Sequence, residues 1–75
     1  MNNSEKLYSA LMEKYELELL ETEKTLLMFF RKQTDEIQED YLNEIDVYLN
    51  TFSNTILKVE KLKEFIKYNN IEYGN

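Results

Sequence analysis

Six carboxylates fall within the twelve residues 35–46: Asp35, Glu36, Glu39, Asp40, Glu44 and Asp46, with no basic side chain among them. If the Ile, Tyr and Leu residues of this stretch face inward on a helix, Glu36, Glu39, Asp40 and Asp46 project from its outer face. Carboxylates three and four residues apart on one face can hold Mg²⁺ together with a phosphate substrate. Hard cations need convergent oxygens, however, and one open face does not supply them. The plainer account is a set of solvated acids at a helix N-terminus, where the dipole favours negative charge. We therefore expect no catalytic residue, no metal site and no cofactor.

The acidic spacing is similar to the helical motifs of all-helical nucleotide pyrophosphatases. That resemblance covers only a dozen residues and lacks the polar or basic phosphate-binding set that would accompany it. A row of carboxylates on a rigid helix can instead imitate the phosphate spacing of DNA and occupy a basic groove on an enzyme. In composition the chain is similar to small acidic phage proteins that disarm host nucleases. This makes a phage-type nucleic-acid mimic, blocking a host nucleic-acid-binding or defence enzyme, the alternative to the reading developed below. No family is recognisable from the sequence.

The 75 residues contain no His, Cys, Pro or Trp, and the only Gly is Gly74. Disulfide frameworks, zinc fingers, Cys-His pairs and Ser-His-Asp triads are thereby excluded. So is a glycine-rich phosphate loop. Lys and Arg total 9 against 15 Asp and Glu, a formal charge of −6. An acidic chain is a poor electrostatic match for nucleic acid or anionic lipid. Lys58, Lys61, Lys63 and Lys67, with Tyr68 and Tyr73 nearby, make a basic end, but Glu60 and Glu64 interrupt it. Direct nucleic-acid binding is not expected. In an antiparallel dimer this basic end would lie against the acidic 35–46 segment and fix orientation. The longest apolar run is Leu26-Leu27-Met28-Phe29-Phe30, far short of the ~20 residues of a membrane span. The N-terminus lacks a signal-peptide layout, and zero cysteine fits a reducing compartment, so the expected location is cytoplasmic.

These residues must be carried by helices. Turn-forming residues are nearly absent before position 69, and good helix formers dominate. Tyr8, Leu11, Met12, Tyr15, Leu19, Thr22, Leu26, Phe29, Phe30 and Gln33 recur at three and four. In the second half Ile37, Tyr41, Leu42, Ile45, Tyr48, Leu49, Phe52, Ile56, Val59, Leu62 and Ile66 do the same. Ile45, Phe52, Val59 and Ile66 keep strict seven-residue spacing, the mark of a heptad seam. Arg31 and Lys32 suit a helix C-terminus, Thr34 can cap the next helix, and Asp35 and Glu36 suit its first turn. Asn69 and Asn70 tolerate the left-handed conformation that ends helices, with Ile71 folding back. The expectation is one all-α domain over 1–75. It comprises an antiparallel two-helix hairpin, with helices at 4–32 and 35–68 and a short tail at 69–75. Two alternatives stay open. One is a single unbroken helix in a long coiled coil, since no Gly or Pro enforces the break at Thr34. The other is three helices, since Asn50-Thr51-Phe52-Ser53-Asn54 are weak helix formers. The heptad passing through Phe52 in phase favours the hairpin.

Two helices bury only the stripe between them, and this chain carries more apolar residues than that. Leu20 and Leu27 sit on one shoulder of the first helix, while Ala10, Leu17 and Met28 lie nearly opposite its seam. Val47, Leu57 and Phe65 point away on the second. Lys63 falls near the middle of the second stripe, its stem covering core. The surplus implies a second copy completing a four-helix bundle, a different protein partner, or both. We thus expect a small non-enzymatic regulatory or inhibitory protein that binds an unidentified protein and forms a homodimer. Leu17, Leu20, Leu27 and Met28 are its expected partner surface. The acids Glu36, Glu39, Asp40 and Asp46 steer the encounter.

Overall fold

A computed structural model describes residues 3–32 and 36–71. Two helices account for nearly all of them: α1 spans Asn3–Arg31 and α2 spans Glu39–Tyr68. Each termination follows the dipole, with Glu5 in the first turn of α1 and Arg31 in its last. Glu39 and Asp40 open α2, and Lys67 closes it.

The helices pack along one seam as an antiparallel hairpin. Phe29 stacks on Tyr41 edge-on at 5.1 Å, whereas Glu18 meets Thr55 and Lys58 lies over Tyr15. Rising numbers in α1 therefore meet falling numbers in α2. The seam residues of α1 are Tyr8, Met12, Tyr15, Leu19, Thr22, Leu26 and Phe29, all buried or half-buried. In α2 they are Tyr41, Ile45, Tyr48, Phe52, Thr55, Val59, Leu62 and Ile66, of which Tyr48 is the most open. Both sets alternate steps of four and three, the coiled-coil period. α2 runs unbroken through 50–54, as its uninterrupted heptad favours.

The C-terminus of α2 closes as the asparagine pair suggests. Asn70 is left-handed (φ 54°), and the Ile71 N–H donates to the Ile66 carbonyl at 3.0 Å. The Asn70 N–H donates to Lys67, so two otherwise orphaned carbonyls are satisfied. Ile66 is buried and Ile71 half-buried, the pair of positions that such a cap brings together.

The start of α2 differs from expectation. The helix begins at Glu39 rather than 35, with Gln38 as an extended N-cap (φ −94°, ψ 151°) that makes no side-chain cap bond. Glu36 is therefore outside the helix, and Thr34 and Asp35 lie outside the described residues. Packing explains the late start. The seam begins where Tyr41 meets Phe29, and α1 ends at Arg31. A helical turn before Glu39 would have no partner, and short helical segments without tertiary packing are not stable in water.

The core stripe is also narrower than the sequence reading placed it. Phe30, Ile37, Leu42, Leu49 and Ile56 are exposed rather than core. Lys63 is exposed too, and lies on the flank of the seam with Leu42, Leu49 and Ile56. A single facing helix covers one stripe. The residue that follows a seam residue turns about 100° away and leaves it.

Candidate interaction surface

The middle of the seam is polar. Thr22 and Thr55 occupy core positions and are buried to 6% and 1% exposure. The Thr22 hydroxyl donates to the Glu18 carbonyl at 2.7 Å, one turn back. Thr55 Oγ1 lies 2.5 Å from Glu18 Oε1 and 2.8 Å from the Thr51 carbonyl, so one hydroxyl proton serves a carboxylate across the seam and a carbonyl within its own helix. No buried side-chain polar atom of the described residues lacks a partner. This cluster joins the helices and is fully satisfied. It acts as a register device.

A second polar tie closes the loop end. Tyr41 Oη donates to the Phe29 carbonyl at 2.6 Å. That carbonyl belongs to the last turn of α1, where no intrahelical donor follows. Lys32 lies 5.7 Å over the Tyr41 ring, and Tyr48 packs beside Phe29 at 5.9 Å. Tyr8, Tyr15 and Tyr41 are half-buried at the seam, where a ring can pack while its hydroxyl reaches a polar partner, as that of Tyr41 does. Tyr48 is more open and Tyr68 is exposed.

The flanks of the seam are unequal. On one flank Leu11, Glu18 and Thr25 of α1 and Thr51 of α2 are half-buried. On the other flank Ser9, Glu16, Glu23 and Phe30 of α1 are exposed. Beside them on α2 runs a row at seven-residue spacing, Leu42, Leu49 and Ile56, exposed at 51, 42 and 38% and continued by Lys63. The sequence reading assigned these three to the core. The signal that separates them is the doublet Tyr41-Leu42, Tyr48-Leu49, Thr55-Ile56, Leu62-Lys63, repeated every seven residues. Two rows advance side by side, and a two-helix seam takes one.

All four expected partner residues on α1 are open to solvent. Leu17, Leu20, Leu27 and Met28 are exposed at 55, 51, 37 and 72%. Helical geometry groups them in two rows, Leu20 with Leu27 and Leu17 with Met28, some 60–100° apart. Leu27 and Met28 line a shallow groove bordered by Lys24, Arg31 and Lys32. An otherwise acidic chain thus rims this apolar groove with cations. Val47, Leu57 and Phe65 of α2 are exposed as well.

The acidic residues do not form one continuous helical face. Glu39 and Asp46 share a row on α2, Asp40 lies about 100° round from them, and Glu36 precedes the helix. All four are exposed. Among the described residues no three metal-binding side chains converge on a common point. No helix of the described residues is long and apolar enough to cross a membrane. Comparison of the chain with protein-family models, with curated proteins and with solved structures finds no match.

Proposed function

We propose that this chain is a small acidic binding module without catalytic activity, which regulates or inhibits another protein in the cytoplasm. It docks the outer face of α1 on that protein and self-associates to complete a four-helix bundle. The observation that carries this reading is the exposure of Leu17, Leu20, Leu27 and Met28 on a helix whose seam is already filled. Large apolar side chains held open in contiguous rows mark protein contact sites. The cations Lys24, Arg31 and Lys32 around Leu27 and Met28 favour a partner that offers apolar side chains edged by carboxylates. Such a partner is complementary to this groove and not to the acidic start of α2.

The test is capture of partners from nuclease-treated lysate by tagged protein, with the Leu20→Glu/Leu27→Glu variant run in parallel and washes at low and high salt. Apolar docking predicts a partner retained at high salt by the parent chain and lost by the variant, whose helicity stays unchanged. A partner held equally by both, and released by salt, would overturn the reading and transfer the activity to the acidic residues, since screening weakens charge-led contacts.

A further inference from the structure

The open row on α2 has a feature that the outer face of α1 lacks: its two ends carry opposite charge. Glu39 and Asp46 share the adjoining row at the N-terminal end, whereas Lys63 continues the apolar row and Lys67 flanks it at the C-terminal end. Glu60 also lies on the adjoining row and leaves the lysine end one charge positive. Ser53, a small residue, sits between Leu49 and Ile56 near the middle of the helix.

From this arrangement we infer that a second copy of the chain docks on the Leu42–Leu49–Ile56 row, antiparallel and two-fold symmetric, with the symmetry axis passing near Ser53. The inference deepens the self-association in the reading above by assigning it to α2, and leaves the outer face of α1 free for a different protein. A two-fold contact is self-complementary, so each residue must suit the one it meets in the other copy. Here Leu49 of one copy meets Ile56 of the other, and Leu42 meets the aliphatic stem of Lys63. The Lys67 ammonium then meets Glu39 of the facing helix, and Lys63 falls between its Glu39 and Asp46. Glu60 comes opposite Asp46, so the lysine end brings one net positive charge to the acidic end. A parallel pairing would set acids on acids and lysines on lysines.

The chain as a whole exposes more surface than a compact monomer of its mass would. The chain exposes 6422 Å², about 1,500 Å² more than the roughly 4,900 Å² expected of a compact monomer of 9.1 kDa. A standard interface removes about 800 Å² from each partner. On α1 the glutamates Glu16 and Glu23 lie between this row and Leu20 and Leu27, while the exposed Phe30 continues their row one turn beyond Leu27.

Sedimentation of the full chain at low salt tests the inference. The parent chain should run as a dimer, and Leu49→Glu/Ile56→Glu as a helical monomer. Leu20→Glu/Leu27→Glu should remain dimeric. Should the first variant fail to fold, charge reversal decides. Glu39→Lys/Asp46→Lys and Lys63→Glu/Lys67→Glu should each dimerise on the order of tenfold more weakly than the parent, and an equimolar mixture should recover the dimer. A dimer lost in Leu20→Glu/Leu27→Glu but kept in Leu49→Glu/Ile56→Glu would overturn the inference while leaving self-association intact. Single reversals as tight as the parent would overturn the antiparallel pairing. A monomeric parent chain would overturn the inference and the self-association together, leaving the capture experiment to judge the partner surface alone.

Discussion

At the scale of single residues, the hairpin is aligned by hydroxyls. Thr55 is the most deeply buried side chain described, and it bonds Glu18 of the other helix. Apolar seams tolerate slippage by a heptad, whereas a satisfied polar pair inside the seam penalises every register that leaves it unpaired. In a double-mutant cycle of Glu18→Ala with Thr55→Val, followed by thermal or urea unfolding, the coupling energy should be about 1–2 kcal/mol. Additive effects would show that the pair does not act as a unit. At the loop end, Tyr41→Phe removes the donor to the Phe29 carbonyl without changing the ring. It should cost about 1 kcal/mol and raise amide exchange first in the last turn of α1. The exposed Lys61–Glu64 ion pair at 3.0 Å is the opposite case. Its loss should leave the melting temperature nearly unchanged, because exposed ion pairs are weak.

At the scale of the element, α2 illustrates what a sequence makes readable and what it hides. Its C-terminus is legible because Asn69-Asn70-Ile71 supplies a left-handed residue followed by an apolar one, and the structure closes there through Asn70 and Ile71. Its continuity through 50–54 is only half legible: the in-phase heptad favours it, the weak helix formers there argue against it, and the structure shows one helix from Glu39 to Tyr68. The N-terminus is not legible, since the acidic and capping residues around Thr34 suit a start at 35 equally well. Only the end of α1 decides that α2 begins at Glu39. The flank row is hidden for a related reason. Tyr41 and Leu42 are equally apolar, so periodicity alone gives a stripe too wide for one partner helix. The α1 surface was readable because Leu17, Leu20, Leu27 and Met28 lie well off the seam. The cap yields a direct prediction: Asn70→Gly should stabilise α2 modestly, whereas Asn70→Val should lose about 1 kcal/mol, because a β-branched side chain resists positive φ. Chemical denaturation of the two variants would check the order.

At the scale of the whole molecule, shape governs function. The radius of gyration is 16.8 Å and the backbone extends over 54 × 19 × 14 Å. A compact domain of this length would have a radius near ~11 Å. So thin a body has no interior beyond its seam, and its buried apolar residues among those described are Leu26 and Ile66. Many of the remaining leucines, isoleucines and phenylalanines are exposed, among them Leu17, Leu20, Phe30, Ile37, Leu42 and Phe65. In this account another copy covers the row on α2, and the outer face of α1 remains for a regulated protein. Acidity then acts on encounter and solubility, keeping exposed apolar rows from indiscriminate aggregation. The proposed dimer would link folding to association, because the state in which α2 is covered would be the more stable one.

That linkage gives the most direct measurement: the thermal unfolding of the full chain, followed by far-UV circular dichroism over a roughly hundredfold range of concentration. A dimer whose assembly completes the core should melt on the order of 10 °C higher at the top of that range. A melting temperature independent of concentration would contradict the account, and would mean that the two-helix seam holds the fold by itself.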